Sequence, residues 1–151
     1  MADGTKTIVT NRRARHEFAL EPPIEAGLVL TGSEVKSLRA GQATLSEAFV
    51  QVARDGVDLV GAHIAPYTEA SYTNHVPTRK RRLLLNKREI EKLRKGVEQK
   101  GFTIVPLKLY FKGGRAKLQI ALGKGKKVHD KRHAIAERES KRRIERAMRD
   151  R

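Results

Sequence analysis

The chain has 151 residues, with 33 Lys and Arg against 17 Asp and Glu, a formal net charge of +16 and a pI of about 10.6. That length fits one modest core with an extension, and so positive a chain attracts polyanions, nucleic acid foremost. The lack of cysteine excludes disulfides, thiol catalysis and zinc–thiolate sites, and without a run of about 20 apolar residues no spanning helix is expected.

Residues 1–10 lack the apolar block of a signal peptide and read as a flexible, frayed start. From His16 to Leu20 the pattern alternates, with Phe18 and Leu20 on one face and Glu17 on the other, before Pro22-Pro23 interrupts. Leu28-Val29-Leu30 reads as a short buried strand. After Thr31-Gly32, Ser33 is placed to cap a short helix whose apolar face is Val35 and Leu38, and Gly41 suits its end. Phe49 to Ala53 and Val57 to Ile64 read as a hairpin, with Asp55-Gly56 supplying the positive φ of a tight turn. Residues 66–82, with two prolines and the cluster Arg79-Lys80-Arg81-Arg82, read as a mobile loop.

The spacing predicts a helix over 86–101. Asn86 is its N-cap, Glu89 completes a capping box, Ile90, Leu93 and Val97 form the apolar stripe and Gly101 closes it. Two long strands follow around Gly113-Gly114. Leu107, Leu109 and Phe111 share a face opposite Lys108 and Tyr110, while Ala116, Leu118, Ile120 and Leu122 alternate with Lys117, Gln119 and Ala121, giving one dry and one wet face. About six strands and two helices predict a mainly β fold, a small closed antiparallel OB-like barrel over residues 11–122.

Residues 123–151 differ in kind. They hold twelve Lys or Arg against five acids and no aromatic residue, too little apolar surface to pack firmly on a barrel. Glu137–Lys141, Glu139–Arg143 and Glu145–Arg149 are i,i+4 pairs in the favourable order, but an isolated helix of that length is marginal in water. The expectation is a basic tail, disordered when free and helical once a polyanion neutralises it. A solvated basic terminus is the plainer alternative.

Catalytic and metal motifs are weak. His129 and His133 could share a helix face, but the intervening Lys131 and Arg132 disfavour a cation. Gly123-Lys124-Gly125-Lys126-Lys127 is a flexible hinge, not a P-loop. No enzyme, metal or cofactor is expected. Nucleic-acid features are more plentiful: Asn11-Arg12-Arg13-Ala14-Arg15-His16 joins three guanidiniums, an amide and an imidazole suited to phosphates and bases. With four Phe, three Tyr and no Trp, recognition should rest on shape, phosphates and a few splayed bases. A generic basic RNA-binding module and an RNA-processing enzyme are the competing readings, though no acid–base pair or carboxylate cluster can be assembled for the second.

Four blocks resemble the bacterial SsrA-binding proteins: residues 11–18, 25–39, 82–89 and 123–132, in family order and spanning nearly the whole chain. The resemblance implies an OB-like barrel with a basic tail. Its partners would be the tRNA-like domain of transfer-messenger RNA and a stalled ribosome, whose 16S rRNA, decoding centre and vacant messenger channel the tail would probe. A cytoplasmic monomer that avoids membranes is implied. Asn11, Arg12, Glu25, Gly32, Glu34, Lys36, Arg39, Leu84 and Leu85 fall in the blocks linked to the tRNA-like domain, alongside Arg13, Arg15 and His16. Glu25 and Glu34 could instead orient a neighbouring arginine, and Leu85 could be core. In the tail, Lys124, Lys126, Lys127, Lys131 and Arg132 would grip ribosomal phosphates, His129 would stack on a base, and Asp130 would hold Arg132 or cap the tail helix.

Overall fold

The computed structural model describes residues 5–68, 74–126 and 142–144. In chain order the elements are β1 (Thr5–Thr10), α1 (Ala14–Glu17), β2 (Phe18–Leu20), β3 (Ile24–Leu28), α2 (Gly32–Arg39), β4 (Ala43–Thr44), β5 (Phe49–Ala53), β6 (Gly56–Val60), β7 (His63–Ile64), β8 (Arg81–Leu84), α3 (Lys87–Val97), β9 (Phe102–Lys112) and β10 (Arg115–Gly125). The order β9-β5-β6-β8-β3-β10, with β10 pairing back onto β9, closes a six-strand antiparallel barrel. Closure removes the exposed edges of an open sheet. β1 and β2 extend β9 and β10 at opposite ends of those two strands.

Leu38, Leu59, Leu93, Ile104, Leu109, Leu118 and Ile120 fill the interior, each almost wholly buried. Gly113 and Gly114 take φ of 58° and 78°, the paired left-handed residues of a tight hairpin that glycine adopts freely. α3 begins as the sequence indicates: Asn86 and Glu89 form a reciprocal capping box, and Leu93 faces the core.

Several expectations are corrected. Residues 5–10 are a strand paired with β9, not a frayed start. A register shift between Thr7 and Val9 breaks the alternation that would have revealed it. The strand near residue 28 runs over Ile24–Leu28, centred on small residues, and Val29 is exposed. Thr31, not Ser33, caps α2, in a second capping box with Glu34. At the first hairpin Ala53 pairs with Gly56, so Arg54-Asp55 makes the turn and Gly56 is extended, opening β6. α3 ends at Val97, and Gly101 belongs to the turn into β9. Within 66–82, Arg81 and Arg82 open β8, and Arg81 is completely buried.

β9 carries a bulge. Ile120 pairs with Pro106 and Gln119 with Lys108, leaving Leu107 unpaired. The extra residue inverts the facing of β9, so Ile104 and Leu109 both point inward although five apart. Val105 and Leu107 instead join Ala14 and Ala121 in a second small core on the outside, against Phe18 and Leu20. The supposed wet face is therefore dry at this end, where α1 covers it. β10 also continues through Gly123 and Lys124 to Gly125, past the barrel boundary drawn at Leu122.

Candidate nucleic-acid interface

Ladder partners lie on the same face of a sheet, so the registers define the outer surface. Ala26, Leu118 and Leu109 are mutually paired and buried in the core. The neighbouring rows therefore point outward. One runs Leu84–Gly27–Lys117–Tyr110–Thr7, the next Glu25–Gln119–Lys108–Thr10. Leu84 is 59% exposed and its side chain lies across Gly27, where an added Cβ would stand 3.2 Å from Leu84 Cβ. The apolar patch thus depends on a missing side chain beside it.

The polar groups of this face are tied together. Lys112 Nζ donates to Glu25 Oε2 at 3.2 Å, and Lys108 Nζ lies 5.1 Å from the Tyr110 ring centroid. Burial, the Glu25 charge and a hydrogen bond to it push the Tyr110 hydroxyl up to about 12, so it remains a protonated donor. Lys117 makes no hydrogen bond or ion pair with a described residue. Lys108, Lys112 and Lys117 are candidate contacts, with the largely buried Tyr110 behind them; the sequence reading left Lys108, Tyr110 and Lys117 as ordinary wet-face residues and did not single out Lys112. Strand alternation showed them pointing outward, but only the register sets them beside Glu25 and Leu84.

α2 adjoins the Leu84 end of this face. Its Val35, with Leu30, Leu84, Phe111 and the segment 114–117, lines a cleft of about 250 Å³. Gly32, Lys36 and Arg39 are exposed on α2, and Lys36 Nζ sits 5.5 Å from the Tyr67 ring centroid. Glu34, on the same helix, is a correction to its expected RNA contact: it has no exposed surface. It accepts from Arg81 Nε at 2.5 Å, from Arg79 Nη2 at 2.6 Å and from the Thr31 amide at 2.8 Å. Burial pushes its carboxyl up, but the bonds from Arg79, Thr31 and Arg81 prevail and hold it at about 2. Arg81 also donates to the Ala62 and Pro77 carbonyls. Glu34 therefore locks α2 to β8 and to the segment before it. Leu85 is half-buried against the core.

A second basic region forms at the far end of β10. Asn11 donates from its side chain to the Pro106 carbonyl at the bulge, at 2.9 Å, and α1 follows directly. Arg12, Arg13, Arg15 and His16 are exposed on and before α1. The tail root comes alongside them: the Lys126 amide donates to the Glu17 carbonyl at 2.9 Å, and Lys126 Nζ to the Arg15 carbonyl at 3.0 Å. An ammonium has three donors, so Lys126 secures this junction with two to spare. The N-terminal basic block is thus grouped with Lys124 and Lys126, not with Glu25 and Leu84. Seven residue steps along β10 separate Lys117 from Lys124, about 24 Å at strand rise. Lys127, His129, Asp130, Lys131 and Arg132 lie outside the described residues, as does most of the expected tail helix; residues 142–144 are helical and exposed.

The family model described as SmpB protein matches residues 8–150. The chain belongs to the SmpB family. Among similar SmpB relatives, the SsrA-binding protein of Thermobifida fusca (strain YX) is 56% identical over 148 residues, covering 98% of this chain and 92% of its own. That of Nocardioides sp. (strain ATCC BAA-499 / JS614) is 53% identical over 145 residues, covering 96% and 91%. A chain solved under the heading "tmRNA-SmpB: a journey to the center of the bacterial ribosome" superposes with a TM-score of 0.68 at 45% identity, covering 84% of this chain and 93% of that one. Among the described residues of this SmpB-family chain, no three His, Asp or Glu side chains gather as a metal would need, and no helix is long and apolar enough to cross a membrane.

Proposed function

We propose that this chain is an RNA-binding adaptor. It holds the tRNA-like domain of transfer-messenger RNA on the barrel face around Glu25, Leu84 and Lys117 and carries it to the A site of a stalled ribosome. The observation that carries the reading is the pair of basic surfaces at the two ends of β10, one on the barrel wall and one at the tail root. An adaptor needs two such sites; a simple RNA-coating protein needs one. On the wall, Lys117, Lys108, Lys36 and Arg39 meet phosphates, Leu84 contacts a sugar or base, and Glu25, oriented by Lys112 and Tyr110, accepts from a base amino group or 2′-hydroxyl. At the other end, Arg12, Arg13, Arg15 and His16 add contacts to transfer-messenger RNA beside the tail root, and Lys124 faces ribosomal RNA. Beyond Lys126 the tail enters the vacant messenger channel and becomes helical as phosphates neutralise it. The role is binding and positioning without a catalytic step, beside the ribosomes of the cytoplasm.

The test is competitive binding at physiological salt. The tRNA-like domain should be preferred over bulk structured RNA by far more than tenfold, and equal binding to both would identify a generic module. A Glu25→Ala, Lys117→Ala double variant that still bound as the wild type would remove the proposed wall site.

A further inference from the structure

A cleft of about 700 Å³ lies between the two basic regions, lined by Phe18 and Leu20 of β2, Pro22 and Pro23, Leu107 at the β9 bulge and Gln119 of β10, with Arg15 and Lys126 at its rim. Its cause is in the topology. β2 and β3 pair with the same edge of β10, at Gly123–Gly125 and Lys117–Ile120, and the chain between them turns away through Pro22-Pro23. This leaves a gap in the outer wall, with Phe18 and Leu107 among the apolar residues that line it. Gln119 is half-buried there, and its amide bonds to no described residue. Its amide atoms stay open to solvent, so they are available to donate to and accept from a ligand.

We infer that this cleft receives one unpaired nucleotide of transfer-messenger RNA, its base against Phe18 and Leu107, its edge read by the Gln119 amide and its phosphate between Arg15 and Lys126. The inference rests on the function proposed above. Charge argues for the occupant: two cations stand at the rim against one carboxylate, Glu21. An apolar lining beside cations suits a base with its phosphate, whereas an acidic peptide would not cover the lining with an aromatic ring and read its edge. Position argues for the same RNA as on the wall, because Gln119 is the register partner of both Glu25 and Lys108. An RNA lying across that row reaches the cleft without leaving the surface.

The test titrates full-length protein with full-length transfer-messenger RNA over a range of salt. Gln119→Ala removes the edge contact, and Phe18→Leu keeps apolar bulk but removes the π face. Each should weaken binding about tenfold, the scale of one stacked base, with the slope of log K against log salt unchanged. Arg15→Ala should lower that slope by about one. A merely structural role for these residues would move the melting temperature and leave affinity at the wild-type value once folded. Wild-type affinity for folded Gln119→Ala and Phe18→Leu would overturn the cleft while the Glu25 and Lys117 variants still report on the wall. Failure of the wild-type protein to bind this RNA at all would overturn both.

Discussion

Replacing Glu34 with alanine should be among the most damaging single changes to the barrel, although Glu34 lies in a motif that reads as surface. Its carboxylate accepts from Arg81, Arg79 and the Thr31 amide, and both Glu34 and Arg81 are without exposed surface. Without it the Arg81 guanidinium stays buried with no counter-charge, and α2 loses half its capping box. Breaking a buried pair from one side costs about 3–5 kcal/mol. For a domain of this size that lowers the melting temperature on the order of 15 °C. The acid dependence gives a second estimate. The folded-state pKa, about 2, lies below the ordinary 4.5, so the contribution is complete above about pH 5 and disappears as pH falls through about 2. That difference corresponds to roughly 3 kcal/mol, in line with the first figure. The assay is urea unfolding of wild type and Glu34→Gln between pH 7 and pH 2. The gap should narrow as the pH falls, because the wild-type carboxyl becomes neutral too. A Glu34→Ala protein melting within about two degrees of wild type, or a gap independent of pH, would refute this account.

Other outcomes follow from the same geometry. Lys117→Ala should weaken binding of the tRNA-like domain across sequences and reduce the salt slope by about one, read by titration at several ionic strengths. Truncation after Lys126 should leave the barrel folded by circular dichroism and the RNA bound while abolishing rescue of stalled ribosomes; a cut after Gly123 would also strip the pairing of Lys124 and Gly125 with β2. Lys131→Ala with Arg132→Ala should behave as that truncation does in a ribosome-rescue assay, and full activity would contradict the role given to the tail. Gly61→Ala should lower the melting temperature by several degrees, because Gly61 sits at φ 79° and an added Cβ would lie 2.6 Å from the Glu47 carbonyl oxygen.

Much of the scaffold is legible in the residues. The Asn86/Glu89 box and the Leu93 stripe locate α3, and the alternation after Gly113-Gly114 locates β10, because both signals are local. What escapes is whatever depends on partners distant in the chain. Glu34 and Arg81 look like surface charges in their own segments, and only the closure of β8 onto β3 and β6 buries them together. The bulge at Leu107 leaves no mark in a run of apolar residues, so the outer cluster around Ala14 could not be foreseen. β1 escapes because its pattern slips midway. At the candidate interface, charged blocks announce themselves by composition, but their grouping does not. Arg12 to His16 lie close in sequence to Glu25, yet the fold sets them beside Lys126.

The bulged β9–β10 hairpin also behaves as a ruler. Both strands span 11 residues, and they carry the wall site near one end and the tail root at the other, so the offset between the two anchor points is built into a stiff ribbon. Lengthening it could proceed only in steps of two residues per strand, about 7 Å, since a one-residue step would turn every lysine inward. Evolution can therefore retune the grip at either end freely, while the spacing between them is quantised.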